Sequence, residues 1–144
     1  MWLFDRTQPQ GSIGHWCSGN LSASKFTARI RSLLALHDGR LAAGCDDGRV
    51  YLIDPKQPTG AGQVWNSADL GRGAVTSLCL APDGSLAAGT NDGTIVGIDL
   101  NQPCEAEPIW KFSTGGVSTV VTLSAVGNRW LVAGTHSGEL HVFE

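Results

Sequence analysis

Acid–base and metal chemistry near neutral pH falls first to histidine, and this chain carries His15, His37, His136 and His141. A hydrolytic triad needs a nucleophile and a carboxylate in order with its His. A zinc protease needs HExxH, and a phosphate site needs a glycine loop with a Lys. None of these patterns occurs. HSGELH, residues 136–141, sets two His five apart. Odd spacings in a strand face opposite sides, so the pair does not share a metal. Cys17, Cys45, Cys79 and Cys104 lack any CxxC spacing and read as buried or incidental thiols. The sequence therefore offers no catalytic, cofactor-binding or metal-binding residue, and no cofactor is expected.

What remains is recognition chemistry. Three short polar pairs, Asp46-Asp47, Asn91-Asp92 and His136-Ser137, stand just before a Gly that opens a strand-like run. Arg29 and Arg31 lie where comparable segments have Ala74 and Thr76, then Thr119 and Val121. Arg29, Arg31, Asp46, Asp47, Asn91, Asp92 and His136 are the candidate binding residues. The acids among them have a second reading as turn formers, because Asp and Asn hydrogen-bond their own backbone in turns.

These residues are positioned by a repeat. Gly44, Gly89 and Gly134 are 45 apart, as are Gly48, Gly93 and Gly138, and Leu41, Leu86 and Leu131. Asp38, Asp83 and Asn128 keep the same interval, as do Asp54, Asp99 and Glu144, and Trp65 follows it to Trp110. The first acidic set reads as turn formers and the second as strand-end residues that bond loop amides. A period of this length is read before any local structure. Within it the texture alternates with period two. GAVTSLCLA, SLAAGT, TIVGIDL and PIWKFST read as strands, and PDG and NDG turn the chain between the first three. No segment shows an apolar period of 3.6, so helix is not expected. Small residues such as Ala87, Ala88 and Gly89 suit close packing of neighbouring sheets, while Val50, Ile95 and Leu140 suit the wider space beyond.

Four short strands per repeat is the signature of a propeller blade. DDGRVYLID and NDGTIVGID resemble the WD-repeat phrase, a turn Asp-Gly before a strand ending in Trp-Asp. Ile53, Ile98 and Phe143 replace that Trp, and the opening Gly-His is absent, so the family's His–Ser/Thr–Trp–Asp network is not carried over. DGRVYLID with a downstream Trp, and IWKFSTGGV, are also similar to quinoprotein-type propellers. That resemblance implies a Trp wedge between sheets, at Trp16, Trp65 and Trp110.

The fold expected is all-β, a partial β-propeller of about three four-stranded antiparallel blades. Residues 1–25 hold the outer strands of an incomplete blade, 26–70 and 71–115 full blades, and 116–144 an incomplete one. A four-residue insertion falls in SGNLSASKFTA, since Asp5 to Asp54 is 49. With strands labelled a to d outward from the axis, the chain reads c–d, a–d, a–d, a–c. Rings usually need about four to eight blades. The expected partner is thus a protein: another chain that completes the ring, with two copies giving six blades, or the remainder of a longer propeller.

Composition narrows the class. Charged residues are 16% and the net charge is −3, so nothing attracts nucleic acid or an anionic membrane. The N-terminus shows no signal-peptide pattern and no run approaches the ~20 apolar residues of a membrane helix. The cytoplasm is the expected compartment. The function expected is a non-catalytic protein–protein interaction scaffold or assembly subunit. The alternative is a fragment of a quinoprotein- or lactonase-like propeller enzyme or ligand sensor.

Overall fold

Alternating apolar residues and turn glycines build thirteen described strands, and no described residue is helical. A computed structural model describes residues 2–4, 12–15, 28–54, 63–66, 73–102, 107–115 and 118–144, with 2–4, 12–15 and 63–66 as backbone. The blade boundaries read from the sequence fall in or at the edge of the segments outside this set, and so does the insertion.

β1 (Trp2–Phe4) pairs with β2 (Ser12–His15). Blade 1 is β3 (Ile30–Ala35), β4 (Leu41–Cys45), β5 (Arg49–Ile53) and β6 (Gln63–Asn66) in sheet order. Blade 2 repeats this as β7 (Val75–Leu80), β8 (Leu86–Thr90), β9 (Thr94–Ile98) and β10 (Trp110–Ser113). Blade 3 has β11 (Val120–Val126), β12 (Trp130–Thr135) and β13 (Leu140–Phe143). Every described pairing is antiparallel.

The first strand of each blade carries a register shift at one repeat position: Ile30/Ser32, Val75/Ser77 and Val120/Thr122. A bulge of this kind bends the strand and re-aims the extra residue. At Thr76 the hydroxyl reaches the neighbouring blade, its one proton shared between the Val120 carbonyl there (2.5 Å) and the Gly89 carbonyl of its own blade (3.1 Å). The Leu123 amide donates to Ser77 Oγ at 2.9 Å. Blades 2 and 3 are thus joined by polar contacts through their innermost strands.

Apolar packing does the rest. One core joins blades 1 and 2, with Ala42, Val50 and Leu52 against Val75, Leu78, Ala88 and Val96. A second joins blades 2 and 3, with Ala87 and Ile95 against Val120, Leu123, Leu131 and Ala133. Gly44 and Gly89 have no room for a side chain: an ideal Cβ would lie 2.5 Å from Val75 Cγ1 and 2.6 Å from Val120 Cγ1, respectively. A third cluster, Ala43, Cys45, Tyr51 and Ile53, lies on the face of blade 1 turned away from blade 2.

Two expectations need correction. Leu140 was placed in packed space by its phase with Val50 and Ile95, yet it is 70% exposed while they are 0%. No described blade lies beyond blade 3 to cover it. Trp110 was expected to be a buried wedge, and it is half-buried, packed on the second core. The side chains of Trp16 and Trp65 lie outside the described residues.

Candidate interaction face

The turns between the second and third strands of each blade share one construction. Gly48, Gly93 and Gly138 have φ of 79°, 82° and 86°, the left-handed region that glycine occupies at little cost. Their amides donate to the carbonyls of Cys45, Thr90 and Thr135. The amides of Asp46, Asn91 and His136 donate back to the carbonyls of Arg29, Ala74 and Thr119 at 2.9–3.0 Å. Each turn is thereby fastened to the segment entering its blade's first strand. The blades stand side by side in one sense, since Gly44 meets Val75 and Gly89 meets Val120. The three turns and the three strand entries therefore share one face.

On this frame the candidate residues divide. Asp46 Oδ1 accepts the Arg29 amide at 2.8 Å. Asp47 accepts the Arg49 amide (3.1 Å) and the Tyr51 hydroxyl (3.2 Å). Asp92 Oδ1 accepts the Thr90 hydroxyl (2.5 Å) and the Thr94 amide (3.1 Å). Partial burial pushes the Asp92 carboxyl up, but the donors Thr90 and Thr94 and the charge of Lys111 outweigh it, so it titrates below the usual carboxylate range. The carboxylates of the acidic rim are thus engaged by their own blades: Asp47 and Asp92 within their turns, and Asp46 by the segment entering β3. Asn91 fills the space that a side chain at Gly73 would need, and its carbonyl accepts Thr119 Oγ1 at 3.1 Å from the next blade. Arg29, Arg31 and His136 are exposed, with Arg31 at the bulge of β3. The described residues do not close a ring, so Arg31 faces solvent rather than a formed channel. Among the described residues no three His, Cys, Asp or Glu group to hold a metal ion.

The opposite end of the sheets holds a feature that the sequence reading missed. A cleft of about 560 Å³ lies between blades 2 and 3, walled by Trp110, Phe112, Leu131 and Phe143, with Asp83, Arg129 and Glu144 at its lining. Phe112 and Phe143 stack across the blades with centroids 4.7 Å apart. Trp110 lies over Gly97, where no side chain would fit, and its indole donates to Asp83 Oδ2 at 2.9 Å. Asp83 also caps the Ser85 amide and hydroxyl. Burial pushes its carboxyl up, but the donors Ser85 and Trp110 bring it below the usual range. Arg129 pairs with Glu144. The available signal was positional: Asp83 and Trp110 keep the phases of Asp38 and Trp65. Nothing in the sequence joined them into one contact.

Residues 68–97 match the family described as WD domain, G-beta repeat. Among curated proteins none matches the chain by sequence. Three solved structures are similar in fold. The WD40 β-propeller domain of Doa1 aligns at a TM-score of 0.66 with 22% identity over 81% of this chain and 38% of its own. Raptor from Chaetomium thermophilum gives 0.67 and 20%, over 83% and 11%. The mitotic checkpoint complex gives 0.67 and 21%, over 86% and 36%. This chain therefore spans well under half the length of each protein it resembles. At these identities the likeness is one of fold, and it agrees with the blades described above. The chain thus has the fold of an array of β-propeller blades, similar to those of WD40 propellers, and residues 68–97 match the WD repeat in sequence as well.

Proposed function

We propose that the chain is a non-catalytic protein-interaction scaffold that acts in the cytoplasm, within a ring completed by another chain. The observation that carries this reading is a uniform frame with unlike heads. Three turns held by the same backbone bonds present Asp46 and Asp47, then Asn91 and Asp92, then His136 and Ser137, beside exposed Arg29 and Arg31. Side chains that vary on a rigid scaffold are the ordinary means of recognition. Ordered turns also lose little entropy on binding, which favours affinity from modest contact area. Ring completion is supported by the uncovered outward face of blade 3, where Leu140, Val142 and Trp130 are 70%, 54% and 38% exposed.

The reading is tested by affinity capture from cytosol with quantitative mass spectrometry. The wild type is compared with the triple variant Arg29→Glu, Arg31→Glu and His136→Glu, all at exposed positions. At least one captured protein should fall by about tenfold or more with that variant, which corresponds to about 1.4 kcal/mol. The same protein should be retained by Phe112→Ser at the opposite cleft. A captured set indifferent to the triple variant would overturn the reading.

A further inference from the structure

The repeat supplies an internal control for Arg29 and Arg31. Position 29 has Ala74 and Thr119 as counterparts, and position 31 has Thr76 and Val121. Where a counterpart carries a hydroxyl, it holds blades together. Thr119 Oγ1 donates to the Asn91 carbonyl at 3.1 Å, and Thr76 Oγ1 reaches the Val120 carbonyl at 2.5 Å. Blade 1 departs from the repeat at both positions, and both times the departure is to arginine. Both arginines are exposed, so neither side chain serves the core.

The other described arginines are engaged. Arg40 pairs with Asp38 at 2.7 Å, Arg49 lies 3.8 Å from Asp47, and Arg129 pairs with Glu144. Among the described residues, the guanidinium groups of Arg29 and Arg31 have no carboxylate partner. Arg29 is the sharper case, because a carboxylate stands at its foot. Asp46 Oδ1 accepts the Arg29 amide at 2.8 Å, yet the guanidinium does not close onto it. The chain carries a net charge of −3, but the charge left available at this end of β3 is positive.

We infer that Arg29 and Arg31 form a clamp for the carboxylates of an acidic peptide segment on the partner. This rests on the reading that this face recognises protein, and it names the chemistry recognised. Each guanidinium can hold a carboxylate through two parallel N–H···O bonds. The two Cα atoms are at most about 7 Å apart, two residues of extended chain. Alternate side chains of an extended acidic segment share one face at about the same spacing, so one segment can engage both. Carboxylate rather than phosphate follows from the backbone. Phosphate cradles use free backbone N–H groups. Here the amides of Arg29, Asp46, Gly48 and Arg49 are all engaged within the chain. The charges of Asp46 and Asp47, on the turn fastened to Arg29, oppose a dianion more than a single carboxylate.

Amide NMR of the 15.1 kDa chain tests the inference, with capped hexaglutamate as the probe. In about 50 mM salt the probe should shift the amides of residues 29–32 and 46–48, and leave those of Asp83 and Trp110 in place. Arg29→Gln and Arg31→Gln should each weaken binding by about threefold or more. Lys at either position should restore it only in part, because the charge returns without the planar fork. Arg40→Gln makes the same charge change at an arginine already held by Asp38, and should leave binding unaltered. Absence of any shift at about 5 mM hexaglutamate overturns the inference. So does an equal loss with Arg40→Gln, which would mark a general field rather than a clamp. Tighter binding of a neutral peptide carrying one phosphoserine also overturns it, in favour of phosphate. Capture lost in the triple variant without hexaglutamate binding would remove the clamp alone. Hexaglutamate binding with a captured set indifferent to that variant would remove the scaffold reading alone.

Discussion

Gly89→Ala adds one methyl group where blade 3 leaves blade 2 no room for a side chain. That methyl would lie 2.6 Å from Val120 Cγ1, 3.0 Å from Val120 Cβ and 3.3 Å from Leu123 Cδ1. Real Cβ contacts do not approach 2.6 Å, and Val120 is fully buried, so its rotamer has little room to yield. Ala in a strand gains about 0.5–1 kcal/mol over Gly through the unfolded chain. Overpacking costs about 1–3 kcal/mol, and a fully buried Val120 puts this site in the upper half of that range, so the net expectation is a loss of about 1–2.5 kcal/mol. Gly134→Ala offers the control. Its nearest neighbour is the Thr122 methyl at 3.0 Å on an exposed residue that can yield, so the same gain over Gly applies and the change should lie between neutral and about 1 kcal/mol stabilising. Urea titration reads both. Val120→Ala should then rescue Gly89→Ala in part, giving a favourable coupling of about 1 kcal/mol in a double-mutant cycle. Equal effects at Gly89 and Gly134, or strict additivity with Val120→Ala, would refute this contact.

Trp110→Ala should cost about 2–3 kcal/mol by the same titration, below the range of about 3–5 kcal/mol for truncation of a fully buried aromatic because the ring is half-buried; Trp110→Phe should retain the packing but lose the bond to Asp83. Asp83 and Asp92 have folded-state values below the ordinary carboxylate value, so their stabilisation is present above about pH 4 and is lost as pH falls through the depressed values. Asp92→Asn should accordingly flatten the acid limb of urea midpoints measured between about pH 7 and pH 3. Burial pushes the Cys45 thiol up to about 12, aided by Asp47 and Asp46, and the Cys79 thiol to about 11. At about pH 8 both should react with iodoacetamide only as fast as the blades open, and at the rate of a free thiol once urea unfolds the chain.

Turn chemistry made most of the fold legible. Asn91-Asp92-Gly93 between two alternating runs specifies a hairpin, and the 45-residue spacing of Gly48, Gly93 and Gly138 specifies three of them. The all-β character and the blade follow from those two facts. Packing between blades was legible in kind but not in degree. Gly44, Gly89 and Gly134 share a phase, yet only the first two are crowded, because crowding depends on a neighbouring sheet and not on the residue itself. Leu140 was misplaced for the same reason. At the candidate face, Asp47 and Asp92 read as ligands or as turn formers, with the turn the commoner role of such residues, and only the fold shows their oxygens already engaged. The Asp83–Trp110 bond spans 27 residues and rests on a side-chain direction that spacing does not encode.

Blade 2 is bounded on both sides, and every residue of β8 and β9 is buried, whereas β13 is half-exposed along its length. Stability in such a stack is a sum of blade terms and neighbour terms. The middle blade holds two neighbour terms, and blade 3 holds one among the described residues. Opening should therefore start at the flank and travel inward, and the amides of β8 and β9 should exchange with solvent last. The chain's mechanical fuse is then blade 3, the same blade that carries the uncrowded Gly134. Any protein seated on that flank would do more than cover apolar surface: it would convert the weakest unit into an interior one and remove the place where unravelling begins.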